Sequence, residues 1–438
     1  MPEPARHADV VIVGAGVAGL SAAHRLTSAG VTTVVLEAAP YVGGRMSTEK
    51  VDGFRLDRIG QLLTTTYPEL RRTPGLDSLV LRPFSPGILV HGEGRHHRAA
   101  VPVSARSARG ALSAARALAS APLRPTTPLG GGLDQARLGA ALARIAATPV
   151  ERLLARPELP ARAALSARGL PARTIDGFLR PLLSALLCDP RLTTSSRCAD
   201  LALHAFAGGR LCLPEGGSDV LPDLLAAALP TGTVHTNVRV TDISTTSVTT
   251  AEHGDIACRS VLLATDARAA AALLPGLRVP PFHEVTVVHH AAPEPPLHEP
   301  ALLLDADRRG PVAHTSVISE VDPTRAPAGR ALISSTVLGP PPSERAVLAH
   351  LAELYGTSTT HWELLTVHHT REAVPAMPPP HDPRRPVRLL SGLYVCGDHR
   401  ETSTVQGALH SGRRAADAAL ADFGIRTVNA ERALPTAA

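Results

Sequence analysis

Three glycines near the start of the chain, Gly14, Gly16 and Gly19, follow a short apolar run and precede a helix-like segment. In this spacing the first glycine permits a tight turn, the second lets the backbone approach a pyrophosphate, and the third lets the helix pack close to the strand. The backbone N–H groups at the start of the helix, at Val17 and Ala18, present the positive end of the helix dipole to phosphates. These residues therefore predict a dinucleotide site.

A carboxylate stands at the end of the next apolar run, where Glu37 lies 18 residues after Gly19 and is followed by Ala38. A carboxylate at this spacing can accept hydrogen bonds from a ribose diol, and its charge repels a 2′-phosphate, so NADP is disfavoured. The glycine turn by itself fits FAD and NAD equally well. A glycine-rich turn without a ligand is the alternative, which the following helix, strand and acid disfavour.

Two further groups of residues could contact the same nucleotide. Gly43 and Gly44 permit close backbone approach, and the guanidinium of Arg45 could pair with a pyrophosphate. Near the other end of the chain, Gly397 and Asp398 follow an apolar run and precede a predicted helix. Alone, this second pair is typical of a turn with a helix cap; beside the N-terminal motif it indicates a second contact with the nucleotide.

With "EAAPYVGGRMST" and "GLYVCGDHRETSTVQGALHSGRRAA", the chain resembles the FAD-dependent superfamily of amine oxidases, phytoene desaturases and protoporphyrinogen oxidases. The resemblance is clear over about the first 70 and the last 50 residues, and it implies non-covalently bound FAD. It implies that Asp398 binds the ribityl chain. It also implies that the N-terminus of the last helix faces the flavin pyrimidine ring; this terminus comprises Val405, Gln406, Gly407 and Ala408. There the helix dipole would stabilise negative charge near N1 of the reduced flavin.

The loop "DRIGQLL" is similar to the family's flavin-side loop and implicates Gly60, Gln61 and Leu62. The family usually has a glycine where this chain has Ile59. A β-branched residue does not easily adopt a positive φ, so we expect either a reshaped loop or an alignment shifted by one residue.

Other segments resemble the family less specifically. "HTNVRVTDI" is similar to the strand that brackets the adenine and implicates Val238 and Arg239. "LLATDARAAAALLP" resembles the segment that closes the nucleotide domain, around Ala264 and Thr265. "AVPAMPPP" is similar to the turn before the last strand.

The catalytic side chains are the residues that the sequence motifs identify least clearly. Amine oxidases of the family usually place a lysine near the flavin, but the corresponding strand, about 283–290, contains none, and Lys50 is the sole lysine of the chain. This favours a desaturase-like or otherwise specialised member. His289 and His290 are the most interesting polar residues of the strand, and because adjacent residues point to opposite faces only one of them could face the flavin. Gln61 and Tyr67 could line the substrate cavity. For each of these a purely structural role remains the alternative.

The fold class predicted from these elements is α/β, with a parallel Rossmann-like sheet. Strands at 9–13 and 31–36 flank a helix at 20–29, and the matching later strands are far away in the sequence. We therefore predict a discontinuous FAD-binding domain (1–75, 206–274 and 386–426) with an inserted α+β substrate domain (76–205 and 275–385) and a tail (427–438). Helices are expected at 107–121, 133–146, 174–187 and about 404–423.

Composition excludes several classes of function. The net charge of +5 is almost wholly arginine and lacks interleaved aromatic residues, so nucleic acid is not an expected partner. Five widely spaced cysteines without a C-x-x-C pair argue against a zinc site and favour the cytoplasm. No apolar run reaches the ~18 residues of a membrane span. Peripheral membrane contact through the Arg/Ala-rich segment 104–160 stays open as an alternative, and the oligomeric state is not predicted.

The function expected from the resemblance is removal of a hydride from a small, lipophilic or specialised-metabolite substrate, forming C=C or C=N. Dioxygen or another acceptor would reoxidise the flavin. Two alternatives remain: a flavin-dependent isomerase or cyclase without net oxidation, and a non-enzymatic binding module of the GDP-dissociation-inhibitor type. Intact Glu37, Arg45 and Asp398 argue against the binding module.

Overall fold

The computed structural model describes residues 3–99 and 128–425. Its first sheet has eight strands, of which the central ones are parallel. His7–Val13 lies in the middle, between Thr33–Glu37 and Gly254–Leu263. The other strands of this sheet are Val234–Thr236, Val240–Ile243, Ser247–Thr250, Arg388–Leu390 and Leu393–Val395.

The central strand carries a continuous apolar run because both faces of the sheet are buried there. Val10, Val11 and Ile12 are completely buried, as expected for a parallel strand sandwiched between two layers. One face is covered by the helices Val17–Thr27 and Val405–Asp422, which cross closely: the Ser21 hydroxyl donates to the Leu409 carbonyl at 2.9 Å. The first and last helices of the described chain are thus packed side by side.

The second sheet has seven strands and is antiparallel except for one parallel pair, Ile88–Gly92 with Leu303–Asp305. In spatial order its strands are Glu363–Pro375, Phe282–Ala292, Ala331–Val337, His314–Val317, Leu303–Asp305, Ile88–Gly92 and Arg95–Ala99. Along Phe282–Ala292 the side chains alternate between two faces. Val287 packs with Ile59 on what we call the inner face, and Val288 packs against Leu351 on the outer face.

Helices cover both sides of this second sheet. Glu344–Tyr355 lies on the outer face, capped by Ser343 at its start and by Gly356 at its end. A helical layer packs near the Ile88–Gly92 and Leu303–Asp305 strands; it comprises Gly132–Ala147, Val150–Leu154, Ala161–Ala167, Ala172–Thr174, Ile175–Leu179, Arg180–Leu187 and Ser196–Gly208.

The remaining described elements are short. Two small sheets pair Thr48–Val51 with Phe54–Asp57, and Leu211–Pro214 with both Leu63–Thr64 and Leu81–Pro83. The remaining helices, including single 3-10 turns, are Pro68–Arg72, Val220–Ala227, Ala267–Leu273, Ile318–Val321, Pro323–Arg325 and Asp398–Arg400.

The predicted elements compare closely with these bounds. The helix expected at 133–146 runs over Gly132–Ala147, and that at 404–423 over Val405–Asp422. The helix expected at 174–187 contains a π-helical turn at Ile175–Leu179, because Pro181 has no N–H to continue the α-helical hydrogen bonding. The helix expected at 107–121 and the tail lie outside the described residues.

The predicted fold class is confirmed: a parallel nucleotide-type sheet is assembled from distant segments and is accompanied by an α+β unit. The exact domain boundaries stay a prediction, since the sheet around Leu211–Pro214 joins strands that we assigned to different domains. No helix among the described residues combines the length and apolar character of a membrane span.

Candidate active site

A cleft of about 650 Å³ opens at the carboxyl ends of the parallel strands. Val13, Leu36 and Ala264, at or directly after three of these strand ends, line it. This edge of an open α/β sheet is where such folds bind their ligands. The volume falls within the ~300–1,000 Å³ range of cofactor and ligand pockets.

The glycine turn forms one wall of the cleft. Gly14 has a φ of 103°, and a Cβ there would lie 3.0 Å from the Ala264 carbonyl oxygen. A Cβ on Gly19 would lie 2.1 Å from the Gly14 carbonyl oxygen, so this residue serves helix packing and does not line the cleft. Gly16 has open space beside it and begins a helix without an acidic residue in its first turn. The free N–H groups therefore meet the cleft without a competing carboxylate.

Glu37 does more than the sequence indicated. One carboxylate oxygen accepts from the Ala15 N–H and the other from the Ala39 N–H, each at 2.8 Å. The side chain thus holds the glycine turn against the end of the second strand. A carboxylate has about four lone-pair sites, so it retains acceptor capacity for ribose hydroxyl groups.

Arg45 and Asp398 meet across the cleft although 352 positions separate them in the sequence. The guanidinium donates to the Asp398 carboxylate at 2.6 Å and to the Ala373 carbonyl at 2.8 Å. Burial alone would lower the pKa of Arg45, but the neighbouring Asp398 carboxylate raises it. Arg45 therefore stays charged, which suits a group facing a pyrophosphate.

The N-terminus of the last helix forms the opposite wall. The Thr404 hydroxyl caps the helix by accepting from the Gly407 N–H, and Val405 and Ala408 line the cleft. Gln406 was predicted to contact the cofactor. Instead its side-chain oxygen accepts from the Glu69 N–H at 2.9 Å, so the Gln406 amide faces away from the cleft lining.

Most of the predicted cofactor residues converge on this cleft. Lining it are Gly14, Gly16, Val17, Ala18, Glu37, Ala38, Gly43, Gly44, Arg45, Gln61, Val238, Arg239, Ala264, Thr265, Gly397, Asp398, Val405 and Ala408. Gly19, Gly60, Leu62 and Gln406 do not. The sequence reasoning missed Thr404 and Asp266, both helix caps on the lining. For Asp266, an Asp between an apolar strand and an alanine-rich helix was a usable signal.

The described residues fit a dinucleotide with a flavin. The space beside Gly16 and the uncapped helix suit a pyrophosphate, Glu37 suits a ribose, and Asp398 with the last helix suits the polar parts of a flavin. In the flavin-side loop neither Ile59 nor Gly60 has a positive φ, and Ile59 packs against Val285 and Val287. Whether the loop is reshaped or the alignment is shifted by one residue stays a prediction.

Gly60 and Leu62 instead line a second, smaller cavity against the inner face of the second sheet, with a volume of about 30 Å³. His289 lines this cavity and not the large cleft. Its Nε2 donates to the Asp57 carbonyl at 2.9 Å, and burial lowers the pKa of His289 to about 4. His290 points to the outer face, where its ring lies 6.1 Å from that of Trp362.

An ion pair closes one end of this small cavity. Arg325, 1% exposed, donates two hydrogen bonds to the Asp57 carboxylate, the shorter at 2.7 Å. Burial alone would raise the pKa of Asp57, but Arg325 and the Ser218 N–H lower it to about 2. The pair joins the end of the strand Phe54–Asp57 to the substrate-side segment, a contact no local sequence signal indicated.

Tyr67 and Gln61, the other candidate substrate residues, take different positions. Gln61 lines the large cleft. Tyr67 precedes the helix Pro68–Arg72 and packs against the core of the first sheet, and burial raises the pKa of its hydroxyl. Neither cavity is lined by Tyr67.

Comparison with known proteins agrees with this geometry. The sequence matches the family described as "Flavin containing amine oxidoreductase" over residues 17–420. Among curated proteins, a putrescine oxidase of Kocuria rosea is 50% identical over 68 residues, which are 16% of this chain and 14% of that protein. A phytoene desaturase of Cercospora nicotianae is 31% identical over 97 residues, 21% of this chain and 16% of that protein. The matches thus span only a small part of these relatives.

Solved structures match over nearly the whole chain. A putative protoporphyrinogen oxidase from Exiguobacterium superimposes with a TM-score of 0.69 and 17% identity, covering 97% of this chain and 100% of that one. A putrescine oxidase bound to putrescine gives 0.66 and 20%, covering 95% and 99%. At this sequence identity the structural similarity establishes the fold only, whereas the match to the family over residues 17–420 establishes family membership. The chain therefore belongs to the flavin containing amine oxidoreductase family, a family of FAD-dependent oxidoreductases.

Proposed function

We propose that this protein binds FAD non-covalently in the large cleft and removes a hydride from a small, lipophilic substrate, which with loss of a proton to solvent forms C=C or C=N. The flavin would supply the hydride acceptor, and dioxygen or another oxidant would reoxidise it. The chain's own residues would hold the cofactor: the glycine turn and first helix at the pyrophosphate, Glu37 at a ribose, and Arg45 with Asp398 at the polar linker.

One observation carries the proposal: Glu37, the Gly14–Gly19 turn, Arg45 and Asp398 converge on one cleft from opposite ends of the chain. Non-covalent binding is supported because the lining formed by the described residues includes no cysteine, histidine or tyrosine that could form a bond to the ring. All five cysteines are free thiols, which supports the expected cytoplasmic location.

One wall on the substrate side supports an apolar portion of the substrate. Leu62, Phe84 and Leu213 line the small cavity beside the flavin-side loop. The strand Phe282–Ala292 carries no lysine, and Lys50 is exposed on the strand Thr48–Val51. These features favour a specialised oxidase or desaturase whose substrate comes from specialised metabolism.

The test is to purify the protein and record its absorption spectrum before and after denaturation. We expect a yellow protein that releases intact FAD into solution on unfolding. A colourless protein that takes up no added FAD would contradict the proposal, and flavin remaining on the unfolded chain would contradict non-covalent binding.

Product mass separates oxidation from the alternative of isomerisation or cyclisation. Incubating the yellow protein with candidate substrates should give a product lighter by two hydrogens and should consume an electron acceptor. A product of unchanged mass, formed without consumption of an acceptor, would assign the flavin a role without net oxidation.

A further inference from the structure

The small cavity carries polar side chains on one wall and apolar side chains on the other. Strand register places His289 opposite Ser334, Ser334 opposite Ser316, and Thr336 opposite His314. We call these five residues the polar patch. The facing wall is apolar and includes Leu62, Phe84 and Leu213.

Hydrogen-bonding groups in the polar patch are buried but lack partners among the described residues. His289 is 2% exposed and His314 is 5% exposed, and the Nδ1 atom of each has no hydrogen-bond partner there. Buried polar atoms are almost always hydrogen-bonded in folded proteins. Two such atoms at one cavity therefore point to a ligand group that completes their bonding.

The role of the His289 ring is fixed by its other nitrogen. A backbone carbonyl can only accept, so Nε2 must carry the hydrogen that it donates to the Asp57 carbonyl. In a neutral imidazole the second nitrogen is then an acceptor. Burial lowers the pKa values of His289 and His314 to about 4, so both rings are neutral near pH 7. Nδ1 of His289 is therefore an acceptor, and any group that completes its bonding must be a donor.

The charged residues at the cavity are already paired. Arg325 is bound by Asp57 and, at 3.3 Å, by Asp322, while Arg55 lies 3.4 Å from Asp219. Each of these two guanidinium groups therefore faces a carboxylate, although the Nε atoms of Arg55 and Arg325 have no hydrogen-bond partner among the described residues. The Asp57 carboxylate already accepts from Arg325, Thr48 and the Ser218 N–H, so its charge is compensated within the fold.

The position and size of the cavity limit what it can hold. Gly60 and Leu62 line it, whereas Gln61, between them, lines the cofactor cleft. The two spaces are thus separated by this segment. A volume of about 30 Å³ has room for one or two water-sized groups, which is enough for a functional group but not for a ring.

We propose that this cavity is a substrate subsite for an uncharged hydrogen-bond donor, a hydroxyl or un-ionised N–H group on an otherwise apolar molecule, with Nδ1 of His289 as the acceptor. We take the bound molecule to be the substrate because of the proposed function. The preference of the subsite for an uncharged donor is inferred separately, from the polar patch. His289 would then determine specificity, and the hydrocarbon attached to that group would extend out of the cavity, which has room for only one or two water-sized groups.

The test compares small probes that differ only in this group. 1-Hexanol and methyl pentyl ether are isomers, but only the alcohol donates. Hexanoate and hexylammonium add a negative or a positive charge. We expect isothermal titration of the purified protein at pH 7 to give an affinity for hexanol about three- to tenfold above that for the ether, with both charged probes weaker than hexanol.

Variants on the two faces of the sheet locate the binding. His289→Phe should bring the alcohol-to-ether ratio close to one, whereas His290→Phe, on the outer face of the same strand, should leave it unchanged. If His289→Phe does not fold, Thr336→Val removes a hydroxyl of the polar patch with little change of shape and should weaken hexanol binding. Its control, Ser335→Ala, lies on the outer face.

Several outcomes would overturn the subsite: equal affinities for alcohol and ether, a charged probe that binds more tightly than hexanol, or a ratio that persists in His289→Phe or falls in His290→Phe. The FAD content of each preparation is measured from its absorption spectrum. A protein without FAD that still shows the expected affinity ratios contradicts the proposed function and leaves the subsite intact. A protein that contains FAD but binds the alcohol and the ether equally contradicts the subsite and leaves the proposed function intact.

Discussion

At the scale of single residues, Glu37 has a structural role in addition to the ribose contact that the sequence predicts. The acid after the second strand predicts a ribose contact. In the structure the same carboxylate also accepts from the backbone N–H groups of Ala15 and Ala39. Glu37 therefore shapes the glycine turn through the folded chain itself, and in the proposed complex the turn would present its N–H groups to the phosphates.

Replacing Glu37 with Gln should weaken FAD binding roughly ten- to a hundredfold. The neutral amide loses charge-assisted hydrogen bonds worth about 1.5–3 kcal/mol each, and 1.4 kcal/mol is about tenfold in affinity. Fluorescence titration of the cofactor-depleted protein with FAD measures the effect. Glu363→Gln is the matched control, because Glu363 is exposed and pairs only with Arg330 among the described residues. Equal affinities in the two variants would contradict the role of Glu37.

At the scale of elements, the site depends on two helices from opposite ends of the chain that pack unusually closely. A Cβ on Gly412 would lie 2.0 Å from the Ala18 carbonyl oxygen. Gly412 in the last helix therefore fixes how closely that helix approaches the first one. Since both helix N-termini border the cleft, this spacing also sets the distance between the two walls that we propose to contact the pyrophosphate and the flavin.

Gly412→Ala should destabilise the protein by about 1–3 kcal/mol or more, because overpacking forces backbone shifts. Gly139→Ala should have the opposite effect. Gly139 lies inside the helix Gly132–Ala147 with nothing near its added Cβ, so the change should stabilise by roughly 0.5–1 kcal/mol through helix propensity. Urea denaturation of both variants gives the comparison. A Gly412→Ala protein as stable as the native chain would show that the crossing is looser than described.

At the scale of the whole molecule, several uncharged histidines lie inside the protein. Burial lowers the pKa values of His289, His290, His314 and His399 to about 4, below the ordinary value of 6.5. They sit in different parts of the fold, at the small cavity, behind the second sheet and beside Asp398. Their common property is that the folded state resists protonation.

The free energy of unfolding should therefore fall as the pH decreases from about 6.5 to 4. In this range the unfolded chain binds protons that the folded chain does not, so acid favours unfolding; below pH 4 the folded histidines also titrate and this effect levels off. Each group contributes on the order of 1–3 kcal/mol. Urea titrations at pH 7.5, 6, 5 and 4 measure it, and His290→Phe should reduce the slope. A stability that is constant from pH 7.5 to 4 would contradict the buried neutral state.

The local parts of the nucleotide site were determined by the sequence alone. The turn at Gly14–Gly19, the acid at Glu37 and the pair Gly397–Asp398 each follow a short apolar strand, and their roles depend on backbone geometry within a few residues. The fold class followed for the same reason, because strand and helix periodicities are local. The alternation that separates His289 from His290 was also predictable, since it needs only strand geometry.

What only the tertiary structure decided is which distant groups meet. The contacts of Arg45 with Asp398, Arg325 with Asp57, and the Gln406 side chain with the Glu69 N–H join residues hundreds of positions apart. The polar patch exists because strand register aligns three separate strands. Hydrogen bonding between strands and burial of charge depend on the complete tertiary structure. The sequence therefore determined the turns and strand ends of the predicted cofactor site, and the tertiary structure decided which side chains lie at the small cavity.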